Sequence, residues 1–295
     1  MKIINFGSIN IDYVYNVNHI VRAGETTESI HFSRFAGGKG LNQSVAIAKA
    51  GTPVFHAGMI GNEGIFLKQF LEDQKVDTTF VKILDDRASG HAIIQVDETG
   101  QNSIILFGGA NQKFDDKYID EVLNQFDEGD ILILQNEINA IPHILKKAKN
   151  KGMKVFFNPA PMNREVLNYP LNCVDCLIVN EIEGSELTGK SEPNGIVSAI
   201  LSQYPEASVI LTLGKNGSIY SDSQRTLKMA AEKVDVVDTT AAGDTFIGYF
   251  ISEFVKQNDI DVCLKIATKA AALCVTRRGA ADSIPERSEL NEGDI

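Results

Sequence analysis

The chain is poor in cysteine, lacks long apolar runs and is short of positive charge, and each shortage excludes a class of protein. There are four cysteines in 295 residues: Cys173, Cys176, Cys263 and Cys274. Cys173 and Cys176 have C-x-x-C spacing, but no second pair or histidine cluster completes a zinc site. Buried free thiols are expected instead, and with them a cytoplasmic location. No apolar stretch approaches the ~20 residues of a membrane span. The opening MKIINFGSIN carries one lysine and reads as a first strand, not as a signal peptide. Basic residues number 28 against 39 acidic ones, a net charge of −11 that argues against general nucleic-acid or anionic-membrane binding. A phosphate ligand stays open, because a local anion hole can sit in a negative protein. The P-loop pattern G-x-x-x-x-G-K-[ST] is absent, and so is the dinucleotide pattern G-x-G-x-x-G, which disfavours a dehydrogenase. There is no internal repeat, low-complexity tract or long linker.

What is present is a βαβα rhythm, in a chain long enough for one large α/β domain or two smaller ones. The pattern predicts strands at 2–9, 54–60, 131–134, 155–158, 177–179 and 209–213. Helices are expected at 41–50, 66–74, 116–125, 141–149, 196–203, 243–255 and 262–276. Such alternation predicts a mainly parallel sheet covered by helices, with ligands beyond the C-terminal strand ends. Gln135–Glu137, 158–161, 180–183 and 214–217 fall at such ends. Two stretches, about 12–35 and 89–108, lack helical periodicity. They are expected to form a small sheet that covers the site as a lid; an edge extension of the main sheet is the alternative. Asp97-Glu98-Thr99-Gly100 reads as a hairpin turn within the second stretch. The polar tail, 286–295, is expected to fray.

The most informative segment is Asp238-Thr239-Thr240-Ala241-Ala242-Gly243-Asp244-Thr245-Phe246. An alternating, β-like run, 233–237, precedes it, and a helical pattern follows. Ala241, Ala242 and Gly243 allow close approach to backbone N–H groups at a helix start, a natural anion site. Asp244 stands in the same turn. An anion cradle beside a carboxylate suits phosphoryl transfer to a hydroxyl. The plainer alternative is an ordinary helix start with a first-turn acid. A second glycine-rich element, Gly37-Gly38-Lys39-Gly40-Leu41-Asn42-Gln43, opens another helix and reads equally as a turn or a site.

Taken together, the motifs carry a resemblance. Gly7-Ser8-Ile9-Asn10-Ile11-Asp12, the 37–43 element, Gly108-Gly109-Ala110-Asn111, Asn158-Pro159-Ala160-Pro161, Asn180-Glu181-Ile182-Glu183, Thr212-Leu213-Gly214-Lys215-Asn216-Gly217, the 238–246 segment and Val275-Thr276-Arg277-Arg278-Gly279-Ala280 occur in one order. That ordered set, from Gly7 to about Pro285, resembles the ribokinase-like (PfkB-type) carbohydrate kinases. The resemblance implies a single domain over 1–295: a three-layer α/β/α sandwich with a mainly parallel sheet and a small β-sheet lid.

It also implies roles for named positions. Asp244 matches the general base, and Ala241, Ala242, Gly243 and the Asp244 N–H match the anion hole. Asn10, Asp12, Gly38, Lys39, Asn42 and Glu137 match the sugar side, where amides and carboxylates suit hydroxyls. Asn180, Thr212, Gly214 and Gly217 match the nucleotide side, and Glu183 the magnesium side, with the ion held through water. Asp238, Thr240, Gly279 and Ser283 match an activating monovalent-cation site, usually potassium. The expected reaction is ATP-dependent phosphorylation of D-ribose at its C5 hydroxyl, using Mg2+ and K+. Deoxyribose, fructose, another sugar or a nucleoside are alternative acceptors. A catalytically silent sugar-binding regulator is a different class of reading, but it would be expected to lose Asp244 or Gly243, and both are present. The partners implied are a small sugar and ATP, with neither nucleic acid nor membrane, in a homodimer formed through the lid. Three departures stand out: Ala241 where the family more often has glycine, the 61–67 segment without the usual glycine near Leu67, and Thr268-Lys269 where a histidine near the base is usual.

Overall fold

The computed structural model describes residues 1–290. The first strand, β1 (Ile3–Phe6), is buried along its whole length, as expected of a central parallel strand covered on both faces. Then follow β2 (Asn10–Asn16), β3 (His31–Gly37), helix α1 (Lys39–Lys49), β4 (Phe55–Gly61), α2 (Ile65–Asp73), β5 (Asp77–Leu84), β6 (Gly90–Val96) and β7 (Asn102–Phe107). The second half holds α3 (Asp116–Leu123), β8 (Ile131–Gln135), α4 (Ile141–Asn150), β9 (Lys154–Asn158), β10 (Cys176–Asn180), α5 (Glu181–Thr188) and α6 (Pro193–Gln203). It ends with β11 (Ser208–Thr212), β12 (Ser218–Ser221), β13 (Thr226–Met229), α7 (Ala242–Val255) and α8 (Ile260–Cys274).

Nine strands form the main sheet in the order β13-β12-β11-β10-β9-β8-β1-β4-β5. It is parallel from β11 to β5; β12 and β13 add antiparallel at one edge. Alternate residues feed opposite cores, as the strand period of two requires. Ile3, Ile131 and Ile133 pack with α1, α2, α7 and α8, whereas Ile4, Leu132 and Leu134 pack with α3, α4 and α6. That is the expected three-layer sandwich. Strand order reverses at β1, which lies between β8 and β4, so a crevice opens at its C-terminal end.

The two stretches without helical periodicity supply a second sheet, in the order β3-β2-β6-β7. It is mixed: β2–β3 and β6–β7 pair antiparallel, β2–β6 parallel. The 97–100 turn forms the β6–β7 hairpin, with the Asp97 carboxylate accepting from Thr99 and Gln101 N–H groups. All four cysteines are buried free thiols. Burial pushes the Cys176 and Cys263 thiols up to about 12. Among the described residues no helix is long and apolar enough to cross a membrane.

Several expectations are corrected. The 233–237 run is not a strand; it has no regular structure and is exposed, with Val236 61% accessible. The strand expected over 2–9 stops at Phe6, because Gly7 turns the chain against Gly40. Of the tail, 286–290 is held: Glu289 takes a paired contact from the Arg277 guanidinium (2.6 and 3.2 Å), and Leu290 is buried. The expectation for 291–295 lies outside the described residues. β5, β12, β13 and α5 were not expected.

Candidate active site

The site is assembled where β1 ends. A side chain on either Gly7 or Gly40 would run into the backbone of the other, so only glycines allow α1 to start this close to the strand. The Leu41 N–H donates to the Ser8 carbonyl (2.9 Å) across this contact. Gly38, at φ +97°, makes the turn into α1. Asn42 and Gln43, in the first turns of α1, thereby face the start of α7.

At that start Asp244 is buried and its carboxylate is gripped from both sides. Asn42 Nδ2 donates to Oδ2 (3.0 Å) and Gln43 Nε2 to Oδ1 (2.9 Å). Ala241 precedes the helix in the left-handed region, at φ +59°. Ala242 N–H makes only a long bond to the Thr239 carbonyl (3.3 Å), and the N–H groups of Gly243 and Asp244 have no acceptor among the described residues. The helix therefore opens on unpaired donors beside a carboxylate.

Glu137, just beyond β8, accepts from the Lys39 N–H (3.0 Å) and from the Ser8 hydroxyl. Asn10 is buried and its Oδ1 accepts from Asn111 Nδ2 (2.7 Å). Asp12 follows on β2, packed so closely to Gly37 that a Cβ there would strike its carboxylate. Burial, and then the charge of Glu137, push the Asp12 carboxyl up to about 7. Burial likewise raises Glu137 against the opposing charge of Lys39. Asp244 raises the Lys39 ammonium against the effect of burial, with Glu137 and Glu183 adding to it. Lys39 is thus the cation of a buried carboxylate cluster. Asn10, Asp12, Gly38, Lys39, Asn42, Glu137 and Asp244 come together here.

Asn180 and Glu183 close the start of α5 as a reciprocal capping pair: Glu183 N–H to Asn180 Oδ1 (2.9 Å), Asn180 N–H to Glu183 Oε2 (3.0 Å). Burial raises the Glu183 carboxyl, opposed by the Asn180 bond and Lys39. With Asn180 and Asn158 already on its oxygens, Glu183 could hold a magnesium ion through water but not as part of a protein cage. Among the described residues no group of three acidic, histidine or cysteine side chains forms such a cage. Thr212 pairs with Asn180 in the β10–β11 register, and Gly214 and Gly217, both at positive φ, make the turn after β11. Among the described residues that turn makes no hydrogen bond with the Asp244 cluster.

Asp238 ties two loops together. Its Oδ1 accepts from the Thr240 N–H (2.9 Å) and hydroxyl (2.7 Å), and its Oδ2 from the Gly279 N–H (3.1 Å). Burial alone would raise this carboxyl; the bonds from Thr240 and Gly279 outweigh it and hold it below the usual range. Ser283 donates to the Ala280 carbonyl (2.8 Å) beside the Cys274 sulfur. One carboxylate with hydroxyl and carbonyl oxygens is a donor set that fits a hard cation.

The sequence reading assigned no role to Asn5, Ser8, Gln43, Asn111 or Gln135. A signal existed for two of them: Asn5 and Gln135 are amides inside otherwise apolar strands, and a buried amide needs partners.

A profile of the pfkB family carbohydrate kinases matches residues 1–287. The chain belongs to that family. This kinase is 33% identical to a ribokinase of Haemophilus influenzae, with 97% of this chain and 96% of the relative covered. It is 32% identical to a deoxyribokinase of Salmonella typhi, over 99% and 98% of the two chains. Its fold superimposes on the structure of Arabidopsis thaliana ribokinase complexed with ribose and ATP at a TM-score of 0.86, with 30% identity and 97% and 96% coverage. The kinase is accordingly a phosphotransferase acting on a sugar hydroxyl.

Proposed function

We propose that this kinase transfers the γ-phosphate of ATP to the C5 hydroxyl of D-ribose, with Asp244 as the general base. The observation that carries the reading is the start of α7, where a buried carboxylate, fixed by two amides, stands beside unpaired backbone donors. Asp244 takes the hydroxyl proton as the oxygen attacks in line. The N–H groups of Gly243 and Asp244, with Ala241 and Ala242 shaping the turn, stabilise charge on the transferred phosphoryl group. Lys39 adds its charge to the same cluster.

Asn10, Asp12, Gly38, Asn42 and Glu137 hold the sugar. Asn42 Oδ1 is buried with no partner, an acceptor suited to a hydroxyl donor. Asn180, Thr212, Gly214 and Gly217 take the nucleotide at the ends of β10 and β11. Glu183 would hold a magnesium ion through water, and that ion would supply charge neutralisation on the phosphates. The loops of Asp238, Thr240, Gly279 and Ser283 would hold a potassium ion, which would support the anion hole structurally. The second sheet acts as a lid that excludes water. Its edge strand β7 exposes Ile104, Ile105, Leu106 and Phe107, which a second copy covers in a homodimer. The location is the cytoplasm.

Deoxyribose is the second acceptor, because the deoxyribokinase relative is nearly as similar as the ribokinase one. A coupled ATP-consumption assay over a sugar panel, with magnesium and with or without potassium, tests the reading. Preference for D-ribose with potassium activation is expected. Preference for 2-deoxyribose moves the acceptor assignment, and absence of turnover on every sugar overturns it.

A further inference from the structure

Behind Asp244 runs a file of buried polar side chains that the phosphoryl-transfer chemistry does not itself use. Gln43, which donates to Asp244 Oδ1, accepts at Oε1 from Gln135 Nε2 (2.7 Å). Gln135 Nε2 also donates to Asn5 Oδ1 (3.0 Å). Asn5 Nδ2 donates to the Gly40 carbonyl (2.8 Å) and to Ser44 Oγ (2.9 Å). Ser44 Oγ meets His56 Nδ1 (2.8 Å), and His56 Nε2 meets the Gly7 carbonyl (3.2 Å). Asn5, Gln43, Ser44 and His56 are fully buried, and Gln135 almost so.

The direction of every bond is determined. A backbone carbonyl only accepts, so Gly40 requires the NH2 end of Asn5, and Gly7 requires the N–H of His56 at Nε2. His56 Nδ1 is then the acceptor of the Ser44 hydroxyl proton. Burial holds the imidazole down to about 4, so it stays neutral at ordinary pH. With Asn5 fixed, its Oδ1 faces Gln135, which must present Nε2. Gln43 must then present Oε1 to Gln135 and Nε2 to Asp244. Gln135 leaves its own Oε1 buried and unpartnered. That orphan is expensive in free energy and is kept while both NH2 hydrogens are used.

We propose that Asn5, Gln135 and Gln43 form a directional relay that holds a hydrogen-bond donor on Asp244 Oδ1, which makes Gln43 and Gln135 positioning residues for the base. The relay rests on the base reading above. It fixes the orientation of the carboxylate and leaves its free lone pairs turned to the acceptor hydroxyl. Truncating Gln135 frees the Gln43 amide to turn, and an oxygen can then face Asp244.

The other charges that act on Asp244 are Lys39 at the start of α1, Glu137 beyond β8 and Glu183 on α5. None is altered in the test. In Gln135→Met the acid limb of kcat is expected to move up by about one pH unit, because a donor favouring the charged form is lost. The fall in kcat at neutral pH is expected to be ~5- to 20-fold, with the sugar KM within about twofold. Carbon-13 NMR titration of the Asp244 carboxyl, assigned against Asp244→Asn, reads the same shift without turnover. A purely structural role lowers thermal stability and leaves both midpoints in place, which overturns the relay. If Gln135→Met does not fold, the unaltered protein decides the matter: the Gln43 side-chain NH2 resonances must titrate together with the Asp244 carboxyl, and their invariance overturns the relay. Wild-type turnover in Asp244→Asn defeats the base reading instead, and the NMR titration still judges the relay.

Discussion

In the proposed reading the site has an acceptor half around Asp244 and a nucleotide half around Asp238 and Gly214, and the two are built in opposite ways. Around Asp244 the polar groups are buried and held by side chains from distant parts of the chain: Asn42 and Gln43 from α1, Glu137 from the end of β8. Around Asp238 and Gly214 the bonds are short-range or link two loops, and the preceding 233–237 run lies open to solvent. The acceptor half is preorganised by the core, so a sugar bound as proposed would meet groups already in place. The nucleotide half leaves Val234, Val236 and Val237 exposed ahead of the Ala241 turn.

The sharpest way to break this contrast is to remove its centre. Asp244→Ala is expected to lower kcat by about two to four orders of magnitude with little change in sugar KM, measured by coupled assay; near-normal turnover sinks the general-base role. Next in size is the burial of Asp12. Its folded carboxyl titrates at about 7, above its ordinary 3.8. Between those values the folded protein holds a proton that the unfolded chain has lost, so Asp12 lowers stability progressively as pH rises from about 4 to 7. Asp12→Asn should therefore raise stability at pH 8 by on the order of 3 kcal/mol, with the gain vanishing near pH 4 and sugar binding weakened. Urea melts at the two pH values check it, and a gain independent of pH would refute the assignment.

Gly248 tests the support of the acceptor half. A Cβ there would strike Ala46 where α7 crosses α1. Gly248→Leu is expected to destabilise by about 1–3 kcal/mol and to loosen the Asn42 and Gln43 grip on Asp244, lowering kcat as well as Tm. A loss of Tm with unchanged kcat per folded molecule would separate packing from the site. The smallest effect belongs to the turn that opens α7. Ala241 carries φ +59°, a conformation that disfavours a Cβ. Ala241→Gly is expected to stabilise by about 0.5–1 kcal/mol while leaving turnover within a few-fold, seen as a small rise in Tm.

How much of this was legible in the sequence follows the same division. The sandwich was legible because β1, β8 and β11 are mostly apolar runs, each with a polar residue or two, and α3 and α4 have clear apolar faces. β5 was not, because an edge strand reading DTTFVKIL mixes charge into its pattern, and β12 is only four residues between turns. The run 233–237 alternated as a strand would, yet it has no neighbouring strand to pair with. Asp244, Asn42 and Glu137 stood within motifs and could be named as a set. Gln135 and Asn5 could not be assigned, since their meaning lies in a contact between β1, β8 and α1 that no local spacing encodes. Ala241 was noticed as a departure, but whether alanine is strained there depends on a backbone angle that composition does not reveal.

The meeting of Gly7 and Gly40 has a consequence for anyone who would re-engineer this kinase. Each glycine is the reason the other cannot be replaced, so no single change at either position offers a tolerated intermediate. Under the proposed function, libraries aimed at new acceptors belong at Asn10, Asp12, Asn42 and Glu137, while residues 7 and 40 form a locked pair that selection can neither approach stepwise nor trade for a larger side chain.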